Sequence, residues 1–196
     1  MRIERDEYLE QLKQRMLNPY AKIITGVRRC GKSYLLKNLF CDYLRGEGAR
    51  DNQIVVVALD DDRFEELRER KALREYVEKA APDEGTQHYI ILDEIQMVEA
   101  FEGVVISLNN HANYDVYITG SNSKLLSRDI ATGFRDRGTE VRVHPLSYCE
   151  FYAAYAGTSA LRCRSTSPTA ACRTCSTSRT RLRRCATLRT WSRRRT

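Results

Sequence analysis

Apolar and polar residues follow two alternating periods along this chain, one typical of buried strands and one typical of helices. Runs of strand type, mostly apolar and β-branched, fall at residues 21–25, 53–59, 88–93, 115–119 and 140–143. Apolar residues at helical spacing fall at residues 3–18, 34–44, 64–79, 101–111, 124–129 and 148–155. Ser147 stands at the N-cap position of the last of these helices. Because strands alternate with helices, the pattern predicts an α/β fold with a mainly parallel sheet flanked by helices.

A glycine-containing segment joins the first strand to the helix that follows it. It reads GVRRCGKS, the G-x-x-x-x-G-K-S pattern of a phosphate-binding loop or Walker A motif, in the strand-to-helix setting that such a loop requires. The glycines permit a tight turn that points backbone N–H groups at a phosphate, and the start of the helix adds its positive dipole end. The segment predicts a nucleotide site formed by Gly26, Arg28, Arg29, Cys30, Gly31, Lys32, Ser33 and Tyr34.

Two residues of that loop have specific predicted roles. Lys32 is expected to reach the β- and γ-phosphates, and the Ser33 hydroxyl is expected to hold Mg²⁺. Arg28 and Arg29 are open to two interpretations, as phosphate contacts or as packing partners for acidic residues.

Two carboxylates stand where the strand at 88–93 ends, as a Walker B motif requires. Asp93 is the predicted Mg²⁺ acid, and Glu94 is predicted to orient and deprotonate the attacking water. Two solvated acids at a strand end would be the alternative, but the loop upstream favours the catalytic interpretation. Asp60, Asp61 and Asp62 follow the preceding strand; we interpret them as solvated caps, with a role near Mg²⁺ as the alternative.

Two further segments complete the candidate site. The strand at 115–119 ends in Gly-Ser-Asn-Ser, where Asn122, or Ser121 as the less favoured choice, would lie beside the γ-phosphate as a nucleotide sensor. Arg135 and Arg137 follow, and either could stabilise the charge that develops in phosphoryl transfer, in cis or across a subunit boundary. A solvated charged loop explains these two arginines equally well.

Composition separates a tail from the rest of the chain. Residues 158–196 hold 11 arginines, no lysine and no acidic residue, whereas the first 157 residues hold 22 basic and 26 acidic side chains. The net charge of +7 therefore comes from the tail, and the body offers no electrostatic argument for nucleic-acid binding. The charged N-terminus does not resemble a secretory signal, and no apolar run is long enough to span a membrane, so we expect a cytoplasmic protein with no membrane partner.

The tail itself is built almost wholly from Ser, Thr, Arg, Cys, Ala and Leu, which predicts disorder. We favour the hypothesis that it is the product of a GC-rich gene read out of frame. A basic arm that binds nucleic acid is the alternative.

The segments at 25–33, 91–96, 118–123 and 145–151 together resemble a prokaryotic AAA+-type P-loop ATPase group. Its members join an ATPase domain to a C-terminal domain of unassigned role that is distantly like restriction nucleases. The resemblance covers residues 1–157 and stops abruptly after Gly157. It implies a sheet of strand order 5-1-4-3-2 and Mg²⁺-ATP binding. It also implies the roles of Lys32, Ser33, Asp93 and Glu94 given above, with a sensor at Ser121-Asn122.

The sequence thus predicts an ATP-binding domain at residues 1–157 that hydrolyses ATP with Mg²⁺, coupled to an unknown protein partner or to further copies of itself. ATP is favoured over GTP because the Asn-Lys-x-Asp element typical of guanine recognition does not occur. A truncated nucleotide-binding remnant without turnover, and nucleic-acid binding through the tail, are the alternatives.

Overall fold

A computed structural model of the chain describes residues 3–82, 85–120 and 138–155. Five strands alternate with helices along it. The strands are β1 Ala21–Thr25, β2 Ile54–Ala58, β3 His88–Asp93, β4 Tyr114–Thr119 and β5 Gly138–Arg142. The helices are α1 Asp6–Lys13, α2 over residues 32–46 with a π-helical middle part Leu35–Phe40, α3 Arg70–Ala80, α4 Phe101–Asn109 and α5 Tyr148–Tyr155. These elements confirm the predicted alternation.

The strands form one parallel sheet in the order β2-β3-β4-β1-β5. Read from the other edge this is the 5-1-4-3-2 order that the family resemblance implied. Strand β1 pairs with β4 on one side and β5 on the other, with Ile24 opposite Thr119 and Val141 respectively. The parallel P-loop fold is therefore confirmed.

Both faces of the sheet are covered, which explains the nearly continuous apolar strands. Alternate residues of each strand point to opposite faces, so Ile23 and Ile24 belong to different apolar clusters. One cluster packs α3 and α4 on the sheet, through Leu73, Val77, Val104, Val105 and Leu108. The other packs α1 and α2 on the opposite face, through Tyr8, Leu12, Leu35, Leu36, Leu39, Phe40 and Leu44.

Two predicted helices differ from those observed. The expected helix at 64–79 is a 3₁₀ segment, Asp62–Arg68, followed by α3, with Glu69 extended between them. Side chains near both ends of the 3₁₀ segment bind backbone groups: Asp61 accepts from the backbone N–H of Arg63 at 3.0 Å, and Arg68 Nε donates to the Leu59 carbonyl at 3.0 Å.

The first helix is also shorter than the predicted residues 3–18 and ends at Lys13. Leu17 has a positive φ of 57°, and its backbone N–H donates to Asp115 Oδ2 at 2.9 Å. The Asp115 carboxylate on β4 therefore accepts the backbone N–H of Leu17, which a continuing helix would use for its own hydrogen bonding.

That carboxylate belongs to a buried polar cluster beneath α2, formed by Lys22, Asp115 and Tyr117. The ammonium of Lys22 pairs with Asp115 Oδ1 and donates to the Asn18 carbonyl at 2.9 Å. The hydroxyl of Tyr117 donates to Asp115 Oδ2 at 2.9 Å. Burial raises the pKa of Tyr117 far above its usual range, and the negative charge of Asp115 raises it further. Burial lowers the pKa of Lys22, against the opposing effect of Asp115.

The chain divides into two compact units, and all five strands lie in the unit that spans Glu4–Leu146. The described helix of the other unit is α5. Its predicted N-cap is confirmed: Ser147 Oγ accepts from the Glu150 N–H at 3.2 Å, and Glu150 Oε2 accepts from the Ser147 N–H at 2.7 Å. Over the described residues, no helix combines the length and apolar character needed to cross a membrane.

Candidate functional site

The candidate site lies at the carboxyl edge of the parallel sheet, where β1, β3 and β4 end side by side. β1 ends at Thr25, directly before the glycine loop; β3 ends at Asp93; β4 ends at Thr119. Strand pairing brings these ends together because Ile24 lies opposite Thr119 and Leu92 lies opposite Ile118. Ligands of open parallel sheets bind at this edge.

The loop between β1 and α2 takes a conformation that requires its glycines. Gly26 has a φ of 151°, and a Cβ there would lie 2.3 Å from the Val143 carbonyl oxygen and 2.8 Å from Cys30 Sγ. Gly31 has a φ of 94° and directly precedes α2. Arg29 also adopts a positive φ, 64°, so the backbone turns sharply at three places between β1 and the helix. The geometry agrees with the tight turn predicted from the sequence.

Lys32 begins the helix and folds back over the loop. Its Nζ lies 3.1 Å from the Gly26 carbonyl and 3.2 Å from the Val27 carbonyl, and the residue is only 4% exposed. Cys30 Sγ, also buried, lies 4.0 Å from the same ammonium. The lysine charge is thus held within the loop, while Val27, Arg28 and Arg29 are exposed at its tip and Tyr34 is half-buried.

Ser33 and Asp93, the two predicted Mg²⁺ residues, are brought into direct contact. Ser33 Oγ donates to Asp93 Oδ1 at 3.0 Å although 60 residues separate them. The Thr119 hydroxyl, from the end of β4, donates to the same oxygen. Asp93 is 1% exposed, so its orientation is fixed by the helix on one side and the neighbouring strand on the other.

A cation faces the second oxygen of Asp93. Lys37 Nζ, from α2, lies 2.5 Å from Oδ2. We describe this close contact as an ion pair, because Asp93 Oδ2 accepts no hydrogen bond of ordinary geometry from the part of the chain that the structure describes. Burial of a carboxylate without a compensating charge costs several kcal/mol, so Lys37 offsets part of the burial cost of Asp93.

Glu94 follows Asp93 in a left-handed backbone conformation, with a φ of 55°. Its backbone N–H donates to Thr119 Oγ1 at 3.0 Å, and its Oε2 accepts from the Gln96 side-chain amide. The positive φ turns the chain after β3, so the side chains of Glu94 and Asp93 point in different directions. The two adjacent acids therefore have different surroundings, as their different predicted roles require.

Arg5, from the segment before α1, supports the loop from behind. Its Nη1 donates to the Cys30 carbonyl at 2.7 Å, its Nη2 donates to the His144 carbonyl at 2.7 Å, and its guanidinium lies 4.4 Å from the centre of the Tyr8 ring. The residue is 3% exposed. One buried arginine therefore ties the N-terminal segment, the loop and the chain after β5 together.

Sequence reasoning missed Arg5, Lys37 and Thr119. Lys37 stands four residues after Ser33 on a helix, and this spacing could have placed it on the same face as the metal residue. Arg5 and Thr119 had no comparable signal, because their contacts depend on which strands and segments become neighbours.

The other predicted residues fall into two groups. Asp61 pairs with Arg63 at 2.6 Å and caps the 3₁₀ segment, in agreement with the interpretation as a cap; the hydrogen bond from Arg63 lowers the pKa of Asp61 to about 2. The sensor candidates Ser121 and Asn122 and the arginines Arg135 and Arg137 lie outside the described residues, as do the helix at 124–129 and the tail.

The donors present fit a magnesium ion. Ser33 Oγ and the Asp93 carboxylate are oxygen donors that already lie in contact at the loop end of α2. Within the described ranges, no group of three or more His, Cys, Asp or Glu side chains could hold a metal. Mg²⁺ does not need such a cage, because it commonly binds through one or two carboxylates together with substrate phosphates.

A family model described as AAA domain matches residues 18–152 of the chain. The chain belongs to this family. The resemblance to AAA+-type P-loop ATPases, stated from the four sequence segments, is thereby confirmed for the AAA domain.

Two relatives of the AAA domain are much longer than it is. An uncharacterized protein of Haemophilus influenzae is 35% identical over 152 residues, 78% of this chain and 38% of that protein. An uncharacterized protein of Methanocaldococcus jannaschii is 33% identical over 134 residues, 66% of this chain and 27% of that protein. The AAA domain thus corresponds to well under half of each relative.

Solved structures share the fold at low sequence identity. A Walker-type ATPase of Pyrococcus abyssi matches with a TM-score of 0.53 and 16% identity, over 80% of this chain and 59% of that one. AMPPCP-bound DnaA from Aquifex aeolicus matches with a TM-score of 0.52 and 16% identity, over 81% and 52%. At such identities the likeness concerns the arrangement of the sheet and helices alone.

Proposed function

We propose that this AAA domain binds ATP together with Mg²⁺ and hydrolyses it to ADP and phosphate. The observation that carries the proposal is the meeting of Ser33 and Asp93, 3.0 Å apart, beside a loop that already holds the Lys32 ammonium. A glycine turn that matched the motif only by chance would not be expected to lie against a buried acid at the end of a neighbouring strand. Two structural neighbours agree with this proposal, since one is a Walker-type ATPase and the other was solved with AMPPCP bound.

Each residue has a distinct part in the proposed reaction. The loop N–H groups and Lys32 bind the phosphates, and Lys32 leaves the Gly26 and Val27 carbonyls to do so. Ser33 and Asp93 would hold Mg²⁺, which when bound neutralises charge on the phosphate oxygens. Thr119 keeps Asp93 in place, and Arg5 keeps the loop backbone in place.

Glu94 is the proposed general base. Its carboxylate accepts the proton of the attacking water and orients that water towards the γ-phosphate. Asn122, with Ser121 as the alternative, is proposed as the sensor, and Arg135 or Arg137 as the arginine that stabilises the developing charge. We further propose that hydrolysis is coupled to a protein partner or to oligomerisation, because the longer relatives carry more than half of their length outside the matching region.

The test is to measure ATP binding by calorimetry, with and without Mg²⁺, alongside steady-state phosphate release. Lys32→Ala should abolish measurable ATP binding, since it removes the buried positive charge of the loop that is proposed to bind the phosphates. Lys71→Ala, at an exposed position of α3, is the matched control and should bind as the wild type does.

Three results distinguish the alternatives. Binding with phosphate release supports the proposal in full. Tight binding with no release supports a nucleotide-binding remnant without turnover. Equal ATP affinity in Lys32→Ala and wild type would overturn the assigned site.

A further inference from the structure

Lys37 occupies a position that the reaction described above does not use. It stands on α2 one helical turn after Ser33, and its Nζ lies 2.5 Å from Asp93 Oδ2. The side chain of Asp93 is 1% exposed, whereas that of Lys37 is 29% exposed. The acid is therefore fixed inside the protein, and the lysine reaches it from a position with access to solvent.

The two oxygens of Asp93 have different partners. Oδ1 accepts hydrogen bonds from Ser33 and Thr119, both of which are neutral hydroxyls. Oδ2 has the Lys37 ammonium as its close ionic contact. Lys32, the other nearby lysine, is directed at the Gly26 and Val27 carbonyls. Lys37 consequently supplies the positive charge that balances the proposed metal carboxylate.

Such a charge has a direct electrostatic consequence for a divalent cation at the same carboxylate. Two cations a few ångströms apart repel each other, and an acid already paired with an ammonium attracts a metal less strongly. The Lys37 ammonium can leave Asp93 when a metal ion binds, because it is carried on a flexible four-carbon stem and is strongly hydrated in water. Its partial exposure allows the ammonium to reach water without disturbing the apolar cluster beneath α2.

We propose that Lys37 competes with Mg²⁺ for Asp93 and so sets the concentration at which the nucleotide-loaded site takes up the ion. The inference rests on the proposed function, since it treats Ser33 and Asp93 as the metal residues. It differs from a purely structural role in one measurable respect. If the ion pair were only structural, removing Lys37 would destabilise the protein and would leave its affinity for the cation unchanged or weaker. If Lys37 competes with the cation, removing it would make cation binding tighter.

The test uses Mn²⁺ as the spectroscopic probe, titrated into full-length protein saturated with ADP and followed by electron paramagnetic resonance. In Lys37→Gln, which removes the charge, the dissociation constant for Mn²⁺ should fall by about 2- to 5-fold, the upper part of the range expected when a partly exposed ion pair no longer has to be broken. Lys37→Met is a second uncharged variant and should show the same shift.

Two matched variants control for charge. Lys37→Arg keeps the positive charge and should bind Mn²⁺ within about twofold of wild type, a difference of no more than about 0.4 kcal/mol. Lys71→Gln removes a lysine charge at an exposed site on α3 and should also match the wild type. Thermal melting of each variant confirms that the protein compared is folded.

ADP affinity measured in the presence of EDTA separates the two proposals. If every variant binds ADP and the uncharged variants bind Mn²⁺ with unchanged or weaker affinity, the competition is overturned and the nucleotide site stands. If wild-type protein binds no ADP, the proposed function and the inference both fail.

Discussion

Glu94, the proposed general base, is held in place by contacts with residues that have no proposed part in the reaction. Its backbone is held at a positive φ, its N–H donates to Thr119, and its carboxylate accepts from Gln96. A non-glycine residue in this region costs of order 1 kcal/mol, which the surrounding structure must offset. The arrangement separates the carboxylate that would activate water from the carboxylate of Asp93.

Replacing Glu94 by Gln should therefore reduce hydrolysis without affecting binding. An amide of the same shape can still accept the bond from Gln96, but it cannot take a proton from water. We expect phosphate release to fall by about 10²- to 10⁴-fold, the usual contribution of a positioned general base, with ATP affinity within about twofold of wild type. Single-turnover phosphate release measures the first quantity and calorimetry the second.

Glu99→Gln, at an exposed position after β3, is the control for loss of an acidic charge and should release phosphate at the wild-type rate. Unchanged release in Glu94→Gln would assign the base to another group.

At the scale of single residues, the sequence predicts candidate site residues where a motif limits the residue types that can occupy a position. Lys32, Ser33 and Asp93 were each predicted from local patterns, and the structure brings all three to one edge of the sheet. Arg5 was not predicted, because an arginine ahead of an amphipathic helix has no local feature that distinguishes a loop support from an ordinary surface charge.

At the scale of elements, strand β4 connects the candidate site with the buried polar cluster. Thr119 lies at its carboxyl end beside Asp93, while Asp115 and Tyr117 lie in the same strand beneath α2. Two-residue periodicity puts Tyr117 on the face opposite Val116 and Ile118, so its ring packs against Phe40 with ring centres 4.7 Å apart. Its hydroxyl is thereby held in the interior, next to a carboxylate.

This position makes the stability of the fold sensitive to alkaline pH. The folded-state pKa of Tyr117 is raised by burial and by Asp115, so its stabilising effect is complete below the ordinary value of 10.0 and is lost as the pH rises above it. In that range the unfolded chain releases a proton that the folded chain keeps. Each such proton lowers the free energy of unfolding by about 1.4 kcal/mol per pH unit.

Tyr117→Phe should therefore flatten the decline in stability between pH 10 and pH 11.5, about one proton less being released on unfolding. At pH 7 the variant should be less stable by about 1 kcal/mol, because the hydrogen bond to Asp115 is lost. Urea unfolding at a series of pH values measures both effects. Tyr20→Phe, at an exposed tyrosine, is the control and should keep the wild-type slope; a steep wild-type slope in Tyr117→Phe would contradict the assignment.

Helix prediction succeeded where the apolar period is long and local, and was wrong where side chains bind the backbone. The expected helix at 64–79 is broken at Glu69, and the first helix ends at Lys13. At Leu17 the side chain of Asp115 accepts a backbone N–H that helical bonding would use, and at the 3₁₀ segment Asp61 and Arg68 bind backbone groups next to it. Sequence periodicity does not report such captures.

For the whole molecule, the site is assembled from three strands and the loop between β1 and α2, so a bound nucleotide should stabilise the sheet as a unit. A ligand that binds only the folded state adds about 2.7 kcal/mol of stability at one hundred times its dissociation constant. For a chain of this size that corresponds to a rise in Tm of about 5–10 °C.

Differential scanning calorimetry with Mg²⁺ and ADP measures the shift. Lys32→Ala should show no shift, and Lys71→Ala should show the full one. A shift in Lys32→Ala equal to that of wild type would place the nucleotide elsewhere on the molecule.

The sequence by itself determined the α/β class, the glycine loop after β1 and the two acids at the end of β3, because each depends on residues close together along the chain. Local periodicity and motif spacing encode these features directly. The sensor and the two arginines remain predictions of the same kind.

Only the tertiary structure decided that Thr119, Lys37 and Arg5 surround Ser33, Asp93 and the loop. Thr119 reaches Asp93 because β4 is inserted between β3 and β1, and Arg5 reaches the loop because α1 packs on the same face as α2. Such contacts arise from strand order and helix packing, which bring together residues tens of positions apart. The physical reason is that burial of apolar faces selects the neighbours, and the polar groups at the strand ends then meet the partners that this packing provides.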